Sequence, residues 1–391
     1  DGEVGRMKLF WQVLAGLILA LALAGCGDEP PALFKSLPRF ENAKIKNGVL
    51  FPSNERVMLT YCEAGLANSR KCHLVAWDLD GENLKVYRKP AHHSWQRPMF
   101  APNGRDVVFV LNDTGRYSNK LAIMDLATER LRIVEDSDSY KVWPSYHPNG
   151  KKLIYADVAY TPDNTKTRTR VSLAGVDIHS LDLQSGKTEA LTDYRFRATS
   201  RPYYTGRGDE FVFVGDMPLK ILLDPKNYKP KELDEYRERY AKNHIVISSI
   251  NNKNWRPEFV MDDNPVHMDR ASSSFPVPSV NRKLIYFKSS KGKIGNNINN
   301  NNTMGIWIRR NGVNNRVFYI TDIENYRWTI SSFTISWDEK YFLFFIEGAL
   351  TGSKKSEKAL WRVAINGSNT TKIPIPWAQL ATITKNVGGR K

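Results

Sequence analysis

Two decapeptides in this chain are near copies of each other. They are Phe100-Ala101-Pro102-Asn103-Gly104-Arg105-Asp106-Val107-Val108-Phe109 and Tyr146-His147-Pro148-Asn149-Gly150-Lys151-Lys152-Leu153-Ile154-Tyr155. Proline presets φ near about −65° and the Asn-Gly pair accepts positive φ, so each copy begins as a tight turn. Behind the turn, Leu153 and Tyr155 fall on one face, as the two-residue period of a strand requires. One such decapeptide is an ordinary hairpin. Recurrence along the chain requires a repeat fold, in which each unit buries its apolar face against its neighbours.

Six segments overlay on this pattern, with turn positions at Pro52, Pro102, Pro148, Gly206, Ser279 and Trp337. The strands behind the turns are Val57–Tyr61, Val107–Val110, Leu153–Ala156, Phe211–Val214, Leu284–Phe287 and Phe342–Phe345. Consecutive turns lie 50, 46, 58, 73 and 58 residues apart. Once insertions are allowed, these spacings approach the roughly 40–50 residues of a four-stranded propeller blade. A second unit follows most turns: a strand, a polar turn and an outer strand. It is seen in Leu121–Leu126 with Leu131–Val134, and in Ile178–Leu183 with Thr188–Leu191. Val75–Gly81, Ile306–Ile308 and Leu360–Val363 repeat its first half.

Pro-Asn-Gly-Lys-x-Leu-x-Tyr at Pro148–Tyr155, followed by Asp-Leu-x-Ser-Gly-Lys-x-x-x-Leu-Thr at Asp182–Thr192, resembles the repeat of the TolB-like β-propeller family. The resemblance runs over residues 43–377. It implies an all-β fold: a six-bladed propeller of four-stranded antiparallel blades, with seven blades as the alternative count. The fourth and fifth segments depart from the pattern, with Gly206-Arg207-Gly208-Asp209 and Val280-Asn281-Arg282-Lys283 where the Pro-Asn-Gly triplet is expected. Ring closure is left open between Phe40–Val49 and Thr371–Ile383 as the strand donor. A short helical insertion is expected at Pro230–Ala241, where proline starts a stripe of Leu233, Tyr236 and Tyr240. The asparagine-rich stretch Gly295–Thr303 reads as a loop tip.

Near the N-terminus, Met7 and Lys8 precede an apolar run from Leu9 to Ala24, too short for a usual membrane span and ordered like a secretory signal. The run ends in Leu23-Ala24-Gly25-Cys26, which resembles the lipobox of bacterial lipoproteins. The resemblance implies cleavage before Cys26 and a diacylglycerol and an N-acyl chain on that residue. Apart from these lipids, no cofactor is expected. Residues 1–25 are then leader and signal peptide, 26–42 the lipidated cysteine and linker, and 43–391 the propeller. By resemblance to enterobacterial sorting, Gly27 favours the outer over the inner membrane, with the propeller facing the periplasm. Cys62 and Cys72 remain, and an even pair in an exported chain suggests a disulfide, the alternative being two free thiols.

The 57 basic residues exceed the 41 acidic ones, for a formal net charge of +16. Export turns that charge away from nucleic acid and toward anionic envelope material. No G-x-S-x-G, H-E-x-x-H, P-loop or C-x-x-C-H motif occurs, so the chain is expected not to be an enzyme, and any active site has to lie on the propeller itself. The loops that lead into the blades supply His93, Trp95, Arg97, Lys141, Arg197, Arg201, His267, Arg270 and Arg327. In a propeller these converge at one mouth of the central channel as a basic ring with Trp143 and Trp328, the alternative for the tryptophans being the blade-packing core. Arginine and tryptophan are common anchors of protein interfaces, so the channel face is expected to bind a partner. No metal site is expected.

The favoured reading is a membrane-anchored lipoprotein of the cell envelope, acting as a non-enzymatic protein-binding scaffold. The family points to a peptidoglycan-associated lipoprotein as one candidate partner. One alternative is a glycan binder or metal-assisted polysaccharide lyase using His93 and His267. Another is a binder of anionic lipid or lipopolysaccharide.

Overall fold

The strands behind the turns, such as Val57–Tyr61 and Phe342–Phe345, carry little polar–apolar alternation. A strand of this kind is stable when both of its faces are covered, so each sheet has to be packed between two others. The computed structural model describes residues 44–50, 53–62, 72–87, 93–113, 119–163, 170–193, 199–216, 243–250, 258–259, 271–278, 284–291, 304–310, 313–319, 326–350 and 356–387.

The first sheet holds β1 (Lys44–Leu50), β2 (Arg56–Cys62), β3 (Cys72–Asp78) and β4 (Lys85–Val86). The second holds β5 (His93–Phe100), β6 (Asp106–Asp113), β7 (Asn119–Asp125) and β8 (Leu131–Glu135). In the third are β9 (Tyr140–Tyr146), β10 (Lys152–Asp163), β11 (Arg170–Asp182) and β12 (Thr188–Ala190). The fourth is built from β13 (Thr199–Tyr204), β14 (Glu210–Asp216), β15 (Asn243–Ser249) and β16 (Glu258–Phe259). The fifth has β17 (Ala271–Pro278), β18 (Leu284–Lys291), β19 (Met304–Arg310) and β20 (Val313–Tyr319). The sixth has β21 (Tyr326–Ile335), β22 (Tyr341–Leu350), β23 (Ser356–Ala364) and β24 (Thr371–Ile373). Every pairing is antiparallel and every sheet runs in chain order. A helix, α1 (Trp377–Val387), follows β24.

The six first strands meet in a cycle: β1 lies against β5, β5 against β9, β9 against β13, β13 against β17, β17 against β21, and β21 against β1. This is the arrangement of a β-propeller, with the first strands around a central channel. The core is divided accordingly. Apolar clusters lie between the first and second sheets (Met58, Leu74, Phe100, Phe109), the second and third (Val108, Ile123, Leu153, Tyr155), and the third and fourth (Ile154, Ile178, Phe211, Phe213). Smaller ones join the fourth to the fifth and the fifth to the sixth.

Both strand donors considered from the sequence are used, in different sheets: residues 44–50 form the first strand of the first sheet, and Thr371–Ile373 the last strand of the sixth. Closure therefore needs no exchanged strand. It is made by contact, with Trp337 of the sixth sheet packed on the Met58–Phe100 cluster. The Asn54 side-chain oxygen accepts from the Trp337 N–H, and the Tyr341 hydroxyl donates to the Asn54 carbonyl.

The turn chemistry is shared even where its sequence signature is missing. The Gly104 N–H donates to the Ala101 carbonyl and that of Gly150 to His147, with both glycines at positive φ. Gly208 makes the same bond to Thr205 in the fourth sheet, at φ 75°, and Glu339 makes it to Ser336 in the sixth, at φ 53°. Cys62 and Cys72 stand directly opposite each other on β2 and β3 and are joined by a disulfide. The expected helix at 230–241 and the asparagine-rich stretch at 295–303 lie outside the described residues, as does Cys26.

Candidate functional site

Each first strand breaks its ladder at the same place. Register shifts fall between Lys46 and Val49, Gln96 and Met99, Ser200 and Tyr203, Ser274 and Val277, and Ile330 and Ser332. In β9 the break falls between Val142 and Ser145, opposite Ile154 and Ala156 of β10. Four of these bulges hold an X-Pro pair: Arg97-Pro98, Trp143-Pro144, Arg201-Pro202 and Phe275-Pro276. Proline has no N–H to give to a ladder, so a bulge is where a strand tolerates it. It also disfavours the right-handed helical region for the residue before it. Arg97, Trp143 and Arg201 take up φ of 57°, 59° and 53°, a region that non-glycine residues seldom enter. The Arg97 N–H is satisfied from the neighbouring sheet by the Thr60 hydroxyl at 3.0 Å.

The bulges bring three of these side chains together in the channel. The guanidinium carbon of Arg97 lies 4.1 Å from the centre of the Trp143 ring and that of Arg201 4.6 Å from it. Arg201 is buried while Arg97 and Trp143 are half-buried. Burial, together with the charge of Arg97, pushes the Arg201 pKa down to about 10, so it remains a cation at neutral pH. Burial also raises the Tyr203 phenol, which is hydrogen-bonded to Arg201 and stays neutral.

Two cavities meet at this cluster. One, of about 30 Å³, is bounded by Arg97, Trp143, Arg201, Tyr203 and Ser332. The other, of about 380 Å³, opens toward the turns that leave the first strands. It is lined by Phe100, Tyr146, Tyr203, Tyr204, Pro278 and Trp337, among others. Met99, Tyr203 and Thr334 line both. The channel is thus an aromatic funnel with a cationic floor.

Of the residues expected at the channel face, Arg97 and Arg201 are brought together there, on Trp143. Two others fall elsewhere. Trp95 is buried in the core between the first two sheets, its ring 4.8 Å from that of Phe109. Lys141 is fully buried, its ammonium donating to the carbonyls of Asn119, Ser137 and Ser139 and lying 3.8 Å from Glu135. It fastens the third sheet to the second instead of facing a partner. The side chains of His93 and Arg327 and the residues Arg197, His267 and Arg270 lie outside the description. Ser332 and Tyr203 escaped the sequence reading. The signal that marks their level is an X-Pro pair four residues ahead of the turn position, as in Pro98 to Pro102, Pro144 to Pro148 and Pro202 to Gly206.

No family model matches the chain. Among solved structures it is similar to TolB from Acinetobacter baumannii, at 15% identity and a TM-score of 0.52, over 88% of this chain and 67% of that one. It is also similar to an oligogalacturonate lyase in complex with manganese, at 10% identity and a TM-score of 0.51, over 85% of this chain and 78% of the other. A puromycin-hydrolysing peptidase from Mycobacterium tuberculosis matches at 8% identity and a TM-score of 0.51, over 86% of this chain and 54% of the peptidase. The chain spans about half the length of that peptidase. These likenesses share the propeller fold, which carries more than one kind of activity.

Proposed function

We propose that this chain is a lipid-anchored protein of the bacterial cell envelope whose propeller, with each sheet as one blade of a six-fold ring, is a non-enzymatic protein-binding module. The observation that carries the reading is the funnel of about 380 Å³ on the turn side of the channel. A concave, mostly apolar site lined by Tyr146, Tyr203, Tyr204 and Trp337 suits a segment of another protein, which supplies apolar side chains in series. The net charge of +16 favours an acidic partner and fast, salt-sensitive association. The signal-like run and Cys26 support export and lipidation, and Gly27 the outer membrane. A peptidoglycan-associated lipoprotein is one partner of suitable location.

The test is affinity capture of the full lipoprotein from its own envelope after mild cross-linking, beside Pro278→Arg, which places a long cation across the funnel. Stoichiometric capture of one protein by the wild type, lost in the variant, is the expected result. Capture unaffected by Pro278→Arg, or recovery of a glycan in place of a protein, would overturn it. Changing Cys26 to Ser is expected to release the chain from membranes washed in high salt.

A further inference from the structure

Arg97, Arg201 and Ser332 line one small cavity of the channel from the second, fourth and sixth sheets. The guanidinium carbons of Arg97 and Arg201 lie 4.1 Å and 4.6 Å from the centre of the same Trp143 ring. The indole thus gathers two cations at one place in the channel. Ser332 adds an independent sign. Its side chain is 1% exposed, and its hydroxyl has no hydrogen-bond partner among the described residues. A buried hydroxyl of this kind is costly to keep, and such groups are retained where a ligand or water uses them. Tyr203, hydrogen-bonded to Arg201, keeps its own O–H as a donor.

All of these groups donate and two carry positive charge, so the complement is an acceptor-only anion. The space among them, about 30 Å³, exceeds what one water needs and is far too small for a sugar ring. Three of its lining residues, Met99, Tyr203 and Thr334, also line the funnel, which provides the way in. We propose that this cavity binds a single carboxylate group, held by Arg97 and Arg201 and by the Ser332 hydroxyl. The inference deepens the binding reading by naming the chemistry at the floor of the funnel. The carboxylate comes either from a small free acid or from an acidic side chain of a segment occupying the funnel.

Isothermal titration of the full chain in detergent with sodium acetate, at constant ionic strength, tests the site. One saturable site is expected in the wild type, with no saturable heat in Arg97→Gln. Ser332→Ala is expected to weaken acetate about tenfold, as the loss of one hydrogen bond to a charge should. Without acetate, the same variant is expected to melt at or above the wild-type temperature, which a merely structural hydroxyl would not allow. No saturable heat in the folded wild type, or wild-type affinity in both variants, would overturn the proposal. Competition by acetyl-Gly-Glu-Gly-amide, absent with its Gln counterpart, assigns the site to a protein-borne carboxylate. Acetate binding without that competition assigns a free small acid. Partner capture with Pro278→Arg is measured separately, so the failure of one reading is distinguishable from that of the other.

Discussion

The side-chain oxygen of Asn54 accepts a 2.7 Å hydrogen bond from the backbone N–H of Trp337, joining turns 283 residues apart in the chain. With no strand exchanged between the first and sixth sheets, this bond helps hold the ends together, beside the Tyr341 hydroxyl's bond to the Asn54 carbonyl, the packing of Trp337 and the contact of β1 with β21. Asn54 also sits at φ 61°, which asparagine tolerates better than alanine does. Asn54→Ala is expected to lose about 1–2 kcal/mol of stability in urea unfolding. Asn54→Gly keeps the backbone comfortable and lacks only the acceptor, so it should lose less. Wild-type stability in both variants would mean that the Asn54 side chain is not needed to close the ring.

Gly208 and Gly186 both have positive φ, but only Gly208 is crowded: a Cβ there would stand 2.0 Å from His147 Nε2. His147 cannot easily retreat, because its ring packs on Tyr204 and Nε2 bonds the Gly208 carbonyl. Gly186 has nothing within 4 Å of the same position. Gly186→Ala should cost about 1 kcal/mol from backbone strain alone. Gly208→Ala should cost about 3 kcal/mol, since strain and overlap combine. Comparison of the two melting temperatures checks the difference.

The Cys62–Cys72 disulfide closes a loop with a sequence separation of 10. Replacing both cysteines by alanine is expected to lower stability by about 2–3 kcal/mol, mostly by freeing the unfolded chain. A reducing agent should destabilise the wild type to a similar extent and leave the double variant unchanged.

Lys141 offers a pH test. Desolvation lowers its pKa in the folded protein, partly opposed by Glu135, Asp157, Asp136 and Asp138. Between that lowered value and 10.5 the unfolded chain holds more protons, so folding gains stability as pH rises through this window. Below the folded pKa the effect is flat. Lys141→Met removes the group from both states and takes one donor from each of three carbonyls, of which those of Ser137 and Ser139 keep a backbone N–H, at a cost of about 1–2 kcal/mol near neutral pH. The gap between wild type and variant should widen toward pH 10.5. A gap that narrows would contradict the buried ammonium.

The repeat was legible because turn and strand chemistry are local. All six strands read behind the turns are second strands of their sheets, and even the fourth segment, lacking Pro-Asn-Gly, turns through Gly208. The face on which a side chain emerges was less legible. A bulge of one or two residues reverses the alternation of β5 and β9. It leaves Trp95 and Lys141 buried while Trp143, two residues beyond Lys141, reaches the channel where it was expected, and it cannot be counted without knowing the partner strand's register. Arg97 and Arg201 were found by charge. Ser332 carried no such mark, because a serine signals a site only through what surrounds it.

The bulges of the first strands have one more consequence. Arginine, tryptophan and arginine, each ahead of a proline, adopt the same left-handed backbone at equivalent places, so at these three places the conformation does not depend on which of the two residue types stands there. Asn47, Phe275 and Ser331 stand at the corresponding breaks of β1, β17 and β21. The channel is in effect a short word written on a fixed page. A combinatorial library confined to the codons for Arg97, Trp143 and Arg201 would move the lumen between cationic, aromatic and neutral chemistry while the scaffold stays the same, which makes the chain a starting point for tailored receptors.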